Sequence, residues 1–267
     1  MKPRPAFEPI VAPPTMSEYP PYVVFRHLWP FFRGLGFAPS AKVAPPPGEA
    51  AGDGPEGVGG AGGALDAHKK VRDTFITEIE HFGYYRIEAA DPAGQVIVVF
   101  ILSPRSVYAS RSPKLRSLLA GLDSEPAAKT GRLAEVIVVL EEKGLERKNI
   151  VDVVAEFRAR SPELHRDPPP RNPRYNMYGY EVFALDLPKA RCVAPHRVLP
   201  AAEAREHLRR ERLQPGSLKT LPDTDPPVIW AGARPGQILE TKAPCETSGY
   251  VYDHWLIRPG TLGPFKM

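Results

Sequence analysis

The sequence predicts a mixed fold: an α/β domain over residues 66–190, followed by a small α+β unit over residues 191–267. Three observations carry this. Two continuous β-branched runs, Gln95–Leu102 and Glu135–Leu140, have the composition of strands buried on both faces. Stretches with apolar residues at helical spacing alternate with them, which is the signature of strands and helices wound into layers, partly parallel. After Pro195 the pattern changes to one short helix and several short strands.

In chain order, residues 1–65 form a Pro/Gly-rich extension, with prolines clustered over 1–21 and a Pro/Gly/Ala linker over 38–64. Between them lies an aromatic island, Tyr22–Phe32, which either docks on a larger body or forms an edge of this chain's own core. Val71, Phe75, Ile79 and Phe82 mark one stripe of a helix that Gly83 ends. Leu115, Leu118, Leu119 and Leu122 mark a second helix, and Ile150, Val153, Val154 and Phe157 a third. The Arg/Pro-rich stretch Ser161–Asn176 is expected to be a loop, and Tyr180–Leu187 a strand. In the last unit Pro200 is placed at the first helical position, with Glu203 in the first turn and Arg209, Arg210 and Arg212 at the end. Strands are expected at Pro227–Trp230, Gln237–Thr241 and Tyr250–Ile257, with Arg234–Gln237 as a type II turn. A unit of about 70 residues is near the lower limit of independent stability and leans on a partner.

The 33 prolines divide the chain, because proline fixes φ and donates no backbone hydrogen bond. Two cysteines, Cys192 and Cys245, exclude a disulfide scaffold or a cysteine zinc site. No apolar run approaches a membrane span and the start lacks a signal-peptide core, so an intracellular, soluble protein is expected. The net charge of +4 suits a polyanionic partner without requiring one.

Catalytic patterns are absent. The seven histidines form no metal-binding pair, the glycine run over 52–63 lacks the Gly-Lys-Ser/Thr of a phosphate loop, and no cofactor is expected. Asp223 and Asp225 are the best enzyme hint, a carboxylate pair for a metal, but before Pro226-Pro227 they read more naturally as a turn. A nuclease-like or free-standing DNA-binding protein is the alternative reading, and it would need Asp91, Asp123 and Glu135 to converge. Basic residues cluster twice: Arg105, Arg111, Lys114 and Arg116, and then Lys143, Arg147 and Lys148 leading into the third helix. There, positive charge opposes the helix dipole. Solvation accounts for any one of them; phosphate contact is the functional reading.

The tail carries a resemblance. Pro195-His196-x-x-Leu199, then Leu218-x-x-Leu221 leading to Asp225-Pro226, then Gly232-x-Arg234-x-Gly236, then Pro244-x-Glu246-Thr247-Ser248-Gly249 run in one order over about 65 residues. This resembles the C-terminal domain of the fifth subunit shared by eukaryotic nuclear RNA polymerases, a family whose archaeal form consists of that tail alone. Val71 to Tyr85 and the two buried runs are collinear with its upstream part, whereas 1–65 and 161–176 have no counterpart. The resemblance implies a non-catalytic subunit of a DNA-directed RNA polymerase, with a jaw-like domain near downstream double-stranded DNA and an assembly domain on the largest subunit. It implies that Pro195, His196, Asp225, Pro226, Gly232, Gly236, Thr247 and Gly249 face the partner subunits. The family's DNA-proximal Thr-Pro-Ser-Ala turn is replaced here by Gly144 to Asn149, so Arg147, Lys148 and Asn149 would stand at the DNA. Ile229 and Glu240 replace charged residues, and His254-Trp255 replaces a closing Tyr-Arg. Such changes imply a divergent copy with an equally divergent partner, as in large DNA viruses with their own polymerase. The location implied is the nucleus, or the virion and infected cell.

Overall fold

The computed structural model describes residues 19–40, 61–130, 132–160, 173–190, 193–245, 247 and 249–262. Of the linker expected over 38–64, residues 41–60 lie outside the described residues, as do 161–172 and Cys192; its two ends are ordered elements and not linker, since Ala38–Pro39 form a short strand and a helix begins at Ala61.

The body is a five-stranded sheet between two helical layers. Its strands are β1 (Ala38–Pro39), β2 (Tyr84–Ala90), β3 (Val96–Leu102), β4 (Leu133–Leu140) and β5 (Arg174–Gly179), in spatial order β1-β2-β3-β4-β5. The first three are antiparallel; β3, β4 and β5 run parallel. Because side chains alternate across a strand, the β-branched runs feed two cores at once. Val99, Ile101, Ile137 and Val139 face one core, and Val98, Phe100, Val136 and Val138 face the other.

Helices α1 (Pro20–Gly34) and α2 (Ala61–Phe82) cover the first face. The second carries α3 (Ser112–Leu122), the short α4 (Pro126–Lys129) and α5 (Glu142–Leu145), and α6 (Lys148–Ala159). The stripes expected for α3 and α6 are buried, except that Leu118 is only half-buried. On α2, Phe75 and Ile79 are buried, but Phe82 is 58% exposed. The helix stops there: Gly83 has φ +78, a left-handed conformation that only glycine adopts cheaply, and it turns the chain into β2.

The aromatic island belongs to this chain's own core. It is the helix α1, whose Tyr22, Phe25, Phe31 and Phe32 are all at most 2% exposed. Pro30 inside the helix and the valine pair argue against a helix locally. Burying each large apolar side chain contributes about 1.5–3 kcal/mol, so the set outweighs the roughly 3 kcal/mol that an interior proline costs.

The C-terminal unit contains β6 (His196–Val198), α7 (Ala201–Arg210), β7 (Lys219–Pro222), α8 (Pro226–Trp230), β8 (Ile238–Cys245) and β9 (Gly249–Arg258). Its sheet has the order β6-β8-β9-β7; only β7 and β9 are parallel. The Arg234–Gln237 turn forms as expected, with Gln237 N–H donating to Arg234 O at 3.0 Å and Gly236 at φ +86. Its own core is small: Val228, Ala233, Leu239 and Ile257 are buried.

Three expectations fail for physical reasons. Pro227–Trp230 is helix, not strand, because two prolines with preset φ start α8 and neither can donate to a ladder. Tyr180–Leu187 is not a strand: Tyr180–Phe183 is a 3-10 turn that folds under α1, its Tyr180 hydroxyl donating to Leu102 O. The strand lies just before it, and Arg174–Asn176, expected in the loop, are part of β5. Arg174 and Asn176 give that segment its polar look, and each is matched: Arg174 by Asp223, Asn176 by Glu135 Oε1 at 2.5 Å. A smaller correction is Pro200, which precedes α7 and does not open it.

The two units are locked together. Trp230 packs against Phe31 and Phe183 with centroids 5.6 Å and 6.0 Å away, and its indole N–H donates to Val182 O at 2.8 Å. Gly232, at φ +64, lies under Leu35, and a Cβ there would run into Leu35 Cδ2. Gly232→Ala should therefore cost about 1–3 kcal/mol from the left-handed backbone and the displaced leucine. Urea unfolding checks this, and Leu35→Ala in the same chain should recover the steric part only.

Candidate partner and nucleic-acid interfaces

Arg147 immediately precedes α6, and Lys148 and Asn149 form its first turn, all three exposed. Arg147 already has a task inside the chain: its Nη1 donates to Ala109 O at 2.7 Å, tying the start of α6 to the loop before α3. Arg105, Arg111 and Lys114 are exposed on that loop and on α3. Arg116, by contrast, pairs with Glu156 at 2.7 Å. The basic residues are exposed alike and differ in that Arg147 and Arg116 already bind within the chain.

The eight residues assigned to partners by resemblance lie on four stretches of the C-terminal unit. Asp225 precedes α8, and burial pushes its carboxyl pKa up; Pro226 is the first residue of that helix. Gly232 and Gly236 supply the positive φ values of two turns. The two glycines are thus needed by the backbone, whereas the Asp225 side chain makes no capping hydrogen bond to the helix it precedes. Pro195 and His196 sit at the edge strand β6, beside an apolar hollow of about 180 Å³ that Leu187, Pro227 and Trp230 also line. Thr247 and Gly249 are at the exposed tip of the β8–β9 hairpin, with the Thr247 hydroxyl 3.3 Å from Cys245 Sγ.

What the sequence does not single out is the stem of that hairpin. Tyr250, Val251 and Tyr252 are 55%, 42% and 51% exposed. The Lys242 ammonium lies 4.1 Å and 5.8 Å from the centroids of the two tyrosines. Three consecutive large apolar residues at the start of a strand are the available signal, and such a run reads as core.

Between α7 and the sheet runs an open trough of about 730 Å³. Its floor stacks His207 on His254, centroids 3.7 Å apart, with His254 Nε2 3.3 Å from Glu240 Oε2. Arg197 bridges Glu240 and Glu203. Burial holds the His207 imidazole below its usual 6.5, helped by His254 and Arg210, and burial does the same at His196. A lowered imidazole pKa means that the folded chain takes up fewer protons than the unfolded chain once pH drops through 6.5, so stability declines from there and levels off below the folded values. Thermal melts between about pH 7 and pH 5.5 should show this decline, and a His196→Gln/His207→Gln double variant should flatten it.

The enzyme hints do not assemble. Asp91 accepts the Gln95 N–H in the β2–β3 turn, Glu135 accepts from Asn176, and Asp123 lies 4.0 Å from Arg160, so each is held by a different neighbour. The turn expected at Asp223 forms, with Asp225 N–H donating to Pro222 O at 3.1 Å, but Asp223 itself is 2% exposed and its carboxylate is bound by two arginines. Among the described residues no group of three or more His, Cys, Asp or Glu is placed to hold a metal ion, and no helix is long and apolar enough to cross a membrane.

The comparisons agree on one relationship. A family model described as "RNA polymerase Rpb5, C-terminal domain" matches residues 185–254. The chain is similar to the DNA-directed RNA polymerase RPB5 homolog of African swine fever virus (isolate Warthog/Namibia/Wart80/1980). They are 31% identical over 176 residues, covering 66% of this chain and 80% of the viral protein. It is also similar to the DNA-directed RNA polymerase subunit Rpo5 of Thermococcus celer, 38% identical over 78 residues, covering 29% of this chain but 89% of the archaeal protein. The Rpo5 of Thermococcus onnurineus matches over the same length at 35% identity.

Proposed function

The chain belongs to the Rpb5 family of DNA-directed RNA polymerase subunits, and on that premise we propose that it is a non-catalytic subunit whose C-terminal unit docks on the largest subunit of its polymerase. The observation that carries this is the economy of the archaeal relatives. A match of 78 residues makes up 89% of one of them, so a protein of little more than this domain's size serves as a polymerase subunit. The small core of the unit fits the same role, since a marginal domain gains stability from whatever binds only its folded form. The viral relatives support placing this chain with a viral polymerase, in the virion and infected cell.

The body then takes the jaw position, with the first turn of α6 toward downstream DNA. Lys148, exposed and at the positive end of a helix dipole, supports that reading; Arg147 acts there as a brace for the turn.

A tagged chain expressed with its cognate polymerase genes tests the proposal. Recovery of the largest subunit at low salt is the expected result. Recovery of the tagged chain without any polymerase subunit would remove the assignment.

A further inference from the structure

One part of the C-terminal sheet is left half-built. β6 pairs with β8 only as far as Thr241, and β7 pairs with β9 only from Trp255 onward. Beyond those limits the ladders join β8 to β9 alone, among the described residues. A two-stranded ribbon of this kind is marginal in water.

The register shows which way the open edge faces. Leu199 N–H donates to Ile238 O and Lys242 N–H to Pro195 O, so the even-numbered residues of β8 turn their backbone groups toward β6. In an antiparallel ladder the pairs Thr241–Asp253 and Ala243–Val251 then carry the β8–β9 hydrogen bonds, and the backbone N–H and C=O of Tyr252 point outward. They look into the lane that β7 would occupy if it began earlier. The chain leaves that lane in the 3-10 turn Pro215–Ser217.

Side chains on both faces of this edge are apolar and exposed: Tyr252 on one, Val251 on the other. An exposed apolar strand edge is a template for another strand unless charges guard it. Among the charged residues nearby, Asp253 and Lys219 are already paired with each other at 3.1 Å. Lys242 forms no ion pair among the described residues and lies over the tyrosine rings, so the face offers one cation amid aromatic surface.

We infer that the outer edge of β9 at Tyr252 receives an extended strand of the subunit on which the C-terminal unit docks, a strand with apolar side chains at alternate positions and a carboxylate facing Lys242. The inference rests on the docking reading and deepens it: main-chain pairing supplies affinity and the alternating side chains supply selectivity.

The test is recovery of the cognate largest subunit on the full-length tagged chain, co-expressed, with three variants. Tyr252→Ala keeps the outward N–H and loses one ring, so recovery should fall only a few-fold. Tyr252→Pro removes the outward N–H at an edge position where proline is tolerated, and recovery should fall about tenfold or more. Lys242→Glu leaves the backbone alone and sets like charges together. It should also lower recovery about tenfold, and it keeps the inference testable where proline unfolds the ribbon. Equal recovery with Tyr252→Pro and Tyr252→Ala would overturn strand addition, and undiminished recovery with Lys242→Glu would overturn the acidic occupant. Failure of the wild-type chain to recover the subunit is a different result, and removes the docking reading itself.

Discussion

Asp223→Ala should lower the stability of the chain by about 3–5 kcal/mol, the range seen when one member of a buried ion cluster is removed. Asp223 Oδ2 lies 2.6 Å from Arg158 Nη2 and 2.8 Å from Arg174 Nη2, while Oδ1 accepts the Gly260 N–H at 2.7 Å. Those contacts join α6 and β5 of the body to the end of β7 in the C-terminal unit. Alanine leaves two guanidinium groups, 21% and 13% exposed, without their carboxylate. That uncompensated charge is where the cost arises, more than in the attraction lost. Thermal melts should register a drop of roughly 6–20 °C. Asp223→Asn, which keeps the shape and one acceptor, should fall between the two. A melt within 2 °C or so of wild type for the alanine variant would show that the cluster is not structural.

Trp230→Ala should cost a similar 3–5 kcal/mol by a different route. The ring fills the space between Phe31 of α1 and Phe183 of the turn after β5, and it carries the hydrogen bond to Val182 O. Removing it opens a cavity at the junction and leaves a buried carbonyl unmatched. The C-terminal unit's separate core holds only four buried apolar residues among those described, so this unit should then unfold before the body does. Hydrogen exchange checks this: amides of β8 and β9 should lose protection well ahead of those of β3 and β4. Trp230→Phe, which restores the ring contact without the donor, should recover most of the loss.

The layered body is legible in the sequence because long β-branched runs bounded by turn residues have few other solutions. Buried strands β3 and β4 and helices α3 and α6 follow directly from such runs and stripes. Elements whose local signal opposes their final state are not legible. α1 carries a proline in its interior, β5 starts with Arg174 and Asn176, and α8 is five residues that include two prolines; in each case tertiary contacts decide the outcome. The same holds for the interfaces. The glycines of the tail are recognisable by spacing because the fold itself needs their positive φ at turns. Tyr250–Tyr252 have no distinguishing spacing, since an alternating or continuous apolar strand reads as core until its neighbours are known. Asp223 stands out as a carboxylate, but its arginine partners lie 65 and 49 residues away along the chain, beyond the reach of any local pattern.

Cross-linking of the intact polymerase through lysine is the most direct test of the central claim that the C-terminal unit is the docking module. Lys219 and Lys242 flank the open ribbon, whereas Lys69 and Lys70 lie on the exposed face of α2. Links from Lys219 and Lys242 to the largest subunit are the predicted result. Links to that subunit from Lys69 and Lys70 alone, with the ribbon lysines unlinked and solvent-reactive, would contradict it.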